Sequence, residues 1–337
     1  MVTIYDIAKR ANVSHMTVSR VLNSPHLVSE KTREKILKTA KEMGYKPNLI
    51  ARSMRTKKTN YIGLILPDII NPFFPEIVRG ASDSASKLGY NIILVNTDND
   101  YAKEQASLEM LFNRGVDGVI HCGIAGGKKD KAFIEEINEN KLPCILIDRY
   151  IPDLDTPYVI SNNFELAYEA TEYLIKLGHK NIGVISSPLK IKIHKDRLMG
   201  YKQALEDNNL VFDESLVVEG EENIESGAEL AKQLLADPKK KISAIFTMCD
   251  FLAFGVYKYC KANKIPIPDG LSIISIDDIY ASSLLEPPLT TMAQKKYEMG
   301  FNAAKILIDA INNKKMPQKK MILKAKLVKR ESCKKID

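Results

Sequence analysis

The spacing of apolar side chains changes once along the chain, near residue 60. Upstream of that point it is helical. Ile4, Ile7 and Ala8 share a face, Thr3 stands where its hydroxyl can cap the first turn, and Asp6 lies three positions on, which predicts a short helix to about Arg10. Ala11-Asn12-Val13 reads as a tight connection. Ser14 then caps a second helix with Val18, Val21 and Leu22 turned inward and His15, Met16, Thr17, Ser19 and Arg20 outward. Ser29 caps a third, SEKTREKILKTAKEMGY, with Ile36, Leu37, Ala40 and Met43 inside and Lys31, Lys35, Lys38 and Lys41 in solvent. Pro47 followed by Asn48 as a cap predicts about two more helical turns carrying Ala51, Arg52 and Arg55, too short to be stable in isolation.

Downstream the pattern becomes short β-rich runs alternating with longer helical ones. YIGLILPD, NIILVNTD, DGVIHCG, PCILIDR and PYVIS read as buried strands separated by helices. A second series follows, with NIGVISS, SLVVEGE, ISAIFTMC and LSIISIDD as its strands. Apolar strands alternating with helices imply parallel sheets covered on both faces, and two such series imply two similar α/β lobes. The tail departs from this order. YEMGFNAAKILIDAINN is expected to return as a helix to the first lobe and KMILKAKLVKRES as a strand to the second. The expected fold is therefore a small all-α head on an α/β body.

Charge sharpens this division. The chain of 337 residues carries +7 overall, but residues 1–60 hold thirteen Lys and Arg against Asp6, Glu30, Glu34 and Glu42, or +9, while the remainder carries 36 basic and 38 acidic side chains, or −2. Two short helices joined by a tight turn, the second polar and basic outside, form a helix-turn-helix, and the concentrated charge is the footprint of a phosphate binder. His15, Met16 and Arg20 are placed to reach base edges in a major groove. At 45 % hydrophobic and 27 % charged the composition excludes wholesale disorder and fibrous repeats. Charges at Asp6, Lys9 and Arg10 argue against a signal peptide, and no run approaches 18 apolar residues, so a cytoplasmic protein with no membrane partner is expected. Cys122, Cys144, Cys249, Cys260 and Cys333 have neither disulfide nor zinc spacing and are expected to be small core hydrophobes.

The runs Thr3-Ile4-Tyr5-Asp6-Ile7-Ala8, Ala11-Asn12-Val13-Ser14, Thr17-Val18-Ser19-Arg20-Val21-Leu22-Asn23 and Gly44-Tyr45-Lys46-Pro47-Asn48 resemble the signature of the lactose-repressor/galactose-repressor family of bacterial transcription regulators. The resemblance continues more loosely to about residue 332. It implies that His15, Met16 and Arg20 read bases while Thr3, Tyr5, Ser14, Thr17, Ser19, Asn23 and Tyr45 mostly touch phosphates or sugars. It also implies that residues 47–60, with Asn48, Ala51 and Arg55, form a hinge helix that folds on DNA beside a partner copy, Met54 wedging between base pairs where leucine is usual. The body would be a two-lobed periplasmic-binding-protein-like fold. Expected boundaries are 1–46 for the DNA-binding head, 61–161 plus about 294–318 for one lobe, and 162–293 plus about 319–337 for the other.

Ligands of open parallel sheets sit beyond the carboxyl ends of the strands, so two facing lobes enclose a cleft lined by those ends. Asp68, Asn71, Phe73, Phe74, Asp148, Arg149, Asn162, Arg197, Asp250 and Asp277 are the candidates. Carried over from the family, Arg197 and Asp277 are the main ligand contacts; a guanidinium and a carboxylate can each bridge neighbouring hydroxyls of a sugar. Phe73 or Phe74 would offer an apolar face. Ser161-Asn162 and Cys249-Asp250 depart from the family's commoner Asp-Asn and Asn-Asp. Lys190, Lys192, His194 and Lys195, with Arg149, either make a positive mouth suited to a sugar acid or sugar phosphate, or are lysines of a solvated loop.

Catalytic and phosphate-loop motifs are absent, which excludes the common enzyme readings, and no cofactor is expected. A solute-binding receptor would share the body but needs export. A phosphoprotein corepressor is a further alternative within regulation. The expected partners are palindromic double-stranded operator DNA, a small-molecule effector and a second copy of the chain, meeting along residues 74–86 and 225–236.

Overall fold

The computed structural model describes residues 2–23, 25–45, 58–122, 128–152, 154–313 and 320–336. The chain separates into two compact units that divide between Thr59 and Asn60.

Among its described residues the first unit holds three α-helices, α1 (Ile4–Ala11), α2 (His15–Asn23) and α3 (Glu30–Glu42). Thr3 and Asp6 form a reciprocal capping box at the start of α1: the Asp6 amide donates to Thr3 Oγ1 at 3.4 Å and the Thr3 amide to Asp6 Oδ2 at 2.8 Å. The Thr3 amide and the Thr3 hydroxyl, which donates to the same oxygen at 2.7 Å, hold the Asp6 carboxyl below its usual range. Asn12 closes the helix in the left-handed region at φ 51°, where asparagine is tolerated better than most residues, and so reverses the chain into α2. Ile7, Ala8, Ala11, Val18, Val21, Ile36 and Ala40 make a small core. Two local expectations fail. Ser29 stands before α3, but its hydroxyl donates to Thr32 Oγ1 rather than accepting from the helix, and Leu37 is exposed, because Ile36, Thr39 and Ala40 already fill the narrow face that the other two helices cover.

The second unit holds two six-stranded sheets. The first has the order β11-β5-β4-β3-β1-β2, built from β1 (Tyr61–Leu66), β2 (Asn91–Asn96), β3 (Val119–His121), β4 (Cys144–Ile147), β5 (Tyr158–Ser161) and β11 (Lys320–Leu323). The second has the order β12-β10-β9-β8-β6-β7, from β6 (Ile182–Ser186), β7 (Val217–Glu219), β8 (Ala244–Thr247), β9 (Ser272–Asp277), β10 (Thr290–Ala293) and β12 (Lys326–Val328). Every pairing is parallel except β10 with β12. The helices are α4 (Phe73–Lys87), α5 (Tyr101–Asn113), α6 (Lys128–Glu139), α7 (Asn163–Lys176), α8 (Lys192–Asp207), α9 (Ile224–Leu235), α10 (Asp250–Ala262) and α11 (Lys296–Asn313). The two-lobed α/β body expected from the alternation is the one observed.

The tail corrects one expectation. KMILKAKLVKRES is two strands, not one: β11 pairs with β5 in the first sheet and β12 with β10 in the second, so the chain crosses between lobes here as well as near residues 162 and 294. Ala325 is the break, its amide taken by Asn162 Oδ1 at 2.8 Å on a neighbouring crossover. α11 returns to the first lobe and lies against α4 at a close crossing. A Cβ at Gly300 would come within 2.0 Å of the Ile77 carbonyl oxygen, and one at Gly80 within 2.0 Å of the Tyr297 oxygen. Glycine at both positions is what lets the backbones approach.

Candidate functional site

In each sheet the strand order reverses beside its central strand, between β1 and β3 in the first and between β6 and β8 in the second. Chain segments leaving such a reversal diverge to opposite faces and open a crevice at the carboxyl ends. The two crevices meet. They enclose a small cavity of about 20 Å3, room for about one water molecule, lined by Asn71, Phe73, Phe74, Asp148, Arg149, Ile193, His194, Arg197, Glu222, Cys249, Asp277 and Gln294. An outer cleft of about 410 Å3 adjoins it and shares Asn71, Phe74, Arg149 and Glu222. That volume falls within the range of small-molecule sites.

From the first lobe, Asn71 Oδ1 accepts the Phe73 amide at 3.0 Å and sets the start of α4, so that the buried Phe73 and Phe74 rings meet edge to face at 5.2 Å against the cavity. Asp148, directly after β4, sits in the left-handed region at φ 63° and is 6 % exposed. Burial pushes its carboxyl above the ordinary range despite Arg149 and Arg197 nearby. Arg149 reaches Asn99 Oδ1 at 3.4 Å.

From the second lobe, Arg197 is 3 % exposed on α8, its Nε donating to Asn163 Oδ1 at 2.8 Å and a terminal nitrogen to the Met248 carbonyl at 2.6 Å. Asp277 ends β9 with φ 124°, a region costly for any residue with a side chain, and Asp278 follows at φ 52°. Buried Lys296 holds this turn, donating to both carbonyls at 2.6 and 2.8 Å and pairing with Glu76 of α4 at 3.3 Å. Gln294 Nε2 donates to Asp277 Oδ1 at 2.7 Å, and its own Oε1 is buried with no partner. Burial, reinforced by Asp250, drives the Asp277 carboxyl well above its usual range. Glu222 moves the opposite way. Burial opposes its charge, but the hydrogen bond and charge of His194, with Arg149 and Ser187 contributing, hold it well below the ordinary carboxylate range. A hydrogen bond from Tyr150 to Asp196 at 3.0 Å joins the lobes beside the cleft.

Of the residues expected from sequence, Asn71, Phe73, Phe74, Asp148, Arg149, Arg197 and Asp277 line the cavity and Asp68 the outer cleft, while Asn162 and Asp250 line neither. Asn162 is committed to the Ala325 amide. Asp250 is fully buried with both oxygens occupied, by the Ile279 amide, Ser282 and Thr291. It ties α10 to the segment after β9 and to strand β10. Strand-end reasoning missed Glu222, although it follows β7 by three residues, and Gln294, which follows β10 directly.

Neither of the two readings of the basic run, a positive mouth or a solvated loop, matches its surroundings. Lys192, His194 and Lys195 lie in the first turns of α8, not in a loop; Lys192 pairs with Asp196, and His194 with Glu222 at 3.0 Å. Asp68, Asp98, Glu221 and Glu222 outnumber Arg149 and Lys190 around the outer cleft.

In the head, Tyr5, His15, Met16 and Arg20 are exposed, Tyr5 and His15 with ring centroids 5.0 Å apart. Thr3 is bonded to Asp6, Ser14 caps α2 by accepting the Thr17 amide at 3.1 Å with the two hydroxyls 2.9 Å apart, and Tyr45 packs on the core. Ser19 is half-buried, and Asn23 ends α2. Asn48, Ala51, Met54 and Arg55 lie outside the described residues. Among the described residues no helix is long and apolar enough to cross a membrane, and the five cysteines are free, four of them buried.

Residues 59–331 match the family of periplasmic binding proteins and sugar binding domain of the LacI family, and residues 3–48 match the bacterial regulatory proteins of the lacI family. The chain is 36 % identical over 331 residues, 98 % of either protein, to the HTH-type transcriptional regulator RegA of Clostridium saccharobutylicum. Among solved structures it is similar to the lac repressor dimer bound to operator and the anti-inducer ONPF, with TM-score 0.85 and 26 % identity over 98 % of each chain. It is also similar to the complex of the transcriptional regulator CelR with cellobiose, with TM-score 0.76 and 27 % identity over 98 % of this chain and 100 % of the other. A helix-turn-helix head joined to a body of the sugar-binding type defines a DNA-binding transcription regulator, not an enzyme. The chain belongs to the LacI family.

Proposed function

We propose that the protein is a sequence-specific, cytoplasmic repressor that binds a palindromic operator as a homodimer and is controlled by a small, uncharged, sugar-like effector in the cleft. The observation that carries the effector reading is Arg197. It is buried, directed by Asn163 and the Met248 carbonyl, and faces carboxyls from both lobes, Asp148 and Asp277, so a ligand touching it bridges the lobes. The head supplies the other half: exposed His15, Met16 and Arg20 on α2 suit base contact, and Thr3, Tyr5, Ser14, Thr17, Ser19, Asn23 and Tyr45 backbone contact, within a segment of +9. Asn48, Ala51, Met54 and Arg55 complete this set as hinge residues.

Effector binding changes the angle between lobes and with it the separation of the two heads in a dimer. The outer faces of α4 and α9 are polar. Exposed Ile69 and Ile70 beside α4, and Tyr280 and Leu284 in the second lobe, add the apolar area that a second copy would cover. The cavity and the cleft beside it favour a small molecule over a phosphoprotein corepressor.

The division of labour is testable by truncation. Residues 60–337 are expected to retain ligand-induced stabilisation in a thermal melt and to lose DNA binding in fluorescence anisotropy. DNA affinity equal to that of the full chain would refute the assignment to the head.

A further inference from the structure

We propose that Glu222 is a specificity residue that occupies the anion seat of the cleft with the protein's own carboxylate, so that uncharged polyhydroxyl molecules are accepted while sugar acids and sugar phosphates are excluded. This rests on the effector reading above and names its chemistry. Glu222 leaves β7 and lines both the inner cavity and the outer cleft, so any ligand passing from one to the other meets it. Two basic groups face it. Arg149 lines both spaces as well, and His194 Nε2 lies 3.0 Å from Glu222 Oε1. The other ring nitrogen, His194 Nδ1, lies 3.0 Å from the Pro188 carbonyl. The ring is thus held between a carboxylate and a backbone carbonyl, with its Nε2 edge turned toward Glu222.

His194 and Arg149 with no carboxylate between them would be a ready receptor for a carboxylate or phosphate. With Glu222 in place the receptor is filled, and a second anion would meet Glu222 at close range with Asp68, Asp98 and Glu221 around the approach. Asp148 Oδ2 also lies 3.9 Å from Arg149 Nε, a second carboxyl beside that guanidinium. A hydroxyl-bearing ligand meets no such conflict, and the buried, unpartnered Gln294 Oε1 in the cavity wall asks for a hydrogen-bond donor.

The test uses the full chain, inorganic phosphate as the probe, and thermal melting of the wild type, Glu222→Gln, and the double variant Glu222→Gln with Arg149→Met. Any phosphate bound by the basic head is common to all three. Expected is a melting temperature that climbs with phosphate by several degrees more in Glu222→Gln than in the wild type, a gain abolished by Arg149→Met. Glu222→Ala, which opens the seat without leaving an amide, is expected to behave likewise and serves if Glu222→Gln folds poorly. Equal phosphate responses in the wild type and in the folded Glu222 variants would overturn the proposal. Failure of the effector reading would look different: operator affinity indifferent to every sugar tried, with the phosphate difference still present.

Discussion

Asp250→Ala is expected to destabilise the body by about 3–5 kcal/mol in urea unfolding, the largest stability loss that a single polar side chain in this protein should cause. The carboxylate accepts from the Ile279 amide at 3.0 Å, Ser282 Oγ at 2.6 Å and Thr291 Oγ1 at 2.8 Å, all away from solvent. Truncation strands three donors, each costing about 1–3 kcal/mol when buried without a partner. Asp250→Asn keeps one acceptor and should lose less. It should also change the pH dependence. Burial raises the Asp250 carboxyl, so the folded state binds protons more tightly than the unfolded chain, and this group's contribution to stability falls as pH climbs from the ordinary carboxylate value through the raised one. Asn carries no such slope. If Asp250→Ala melted like the wild type but failed to bind effector, the residue would belong to the ligand site after all.

Arg197→Met is expected to do the reverse, leaving the chain able to bind operator while weakening the effector response by about 30-fold or more, since truncating one member of a buried, hydrogen-bonded charged contact costs about 2–5 kcal/mol. Methionine keeps much of the volume and removes the planar donor that Asn163 and Met248 aim into the cavity. It also removes a charge that opposes protonation of Asp148 and Asp277, so both carboxyls should shift further toward their neutral forms. Operator binding measured across an effector titration separates the outcomes: unchanged affinity with a flattened response is expected, and a response intact in Arg197→Met would remove the residue from the site.

The head was legible in residue types because its elements are closed by local chemistry. Thr3 with Asp6, Asn12, and Ser14 with Thr17 act over three or four positions. The alternation of apolar strands and helices gave the lobes for a similar reason, since burial on both faces leaves a continuous apolar run. What was hidden depends on distant partners. Nothing local distinguishes Asp250, held by groups 29 to 41 residues away, from Asp277, which lines the cavity. The basic run from Lys190 to Lys195 reads as a positive mouth until Asp196 and Glu222 are brought against it by the helix and by β7. The split of the tail between two sheets likewise turns on Asn162 capturing the Ala325 amide from 163 residues away.

The central claim is that this chain reads a specific DNA sequence through α2 of its head, as one of a symmetric pair. Selection of bound duplexes from a random DNA pool by the full-length protein tests it most directly. Recovery of an inverted repeat with two half-sites about one helical turn apart is the predicted result; a pool that converges on no palindrome, or does not converge, would contradict it.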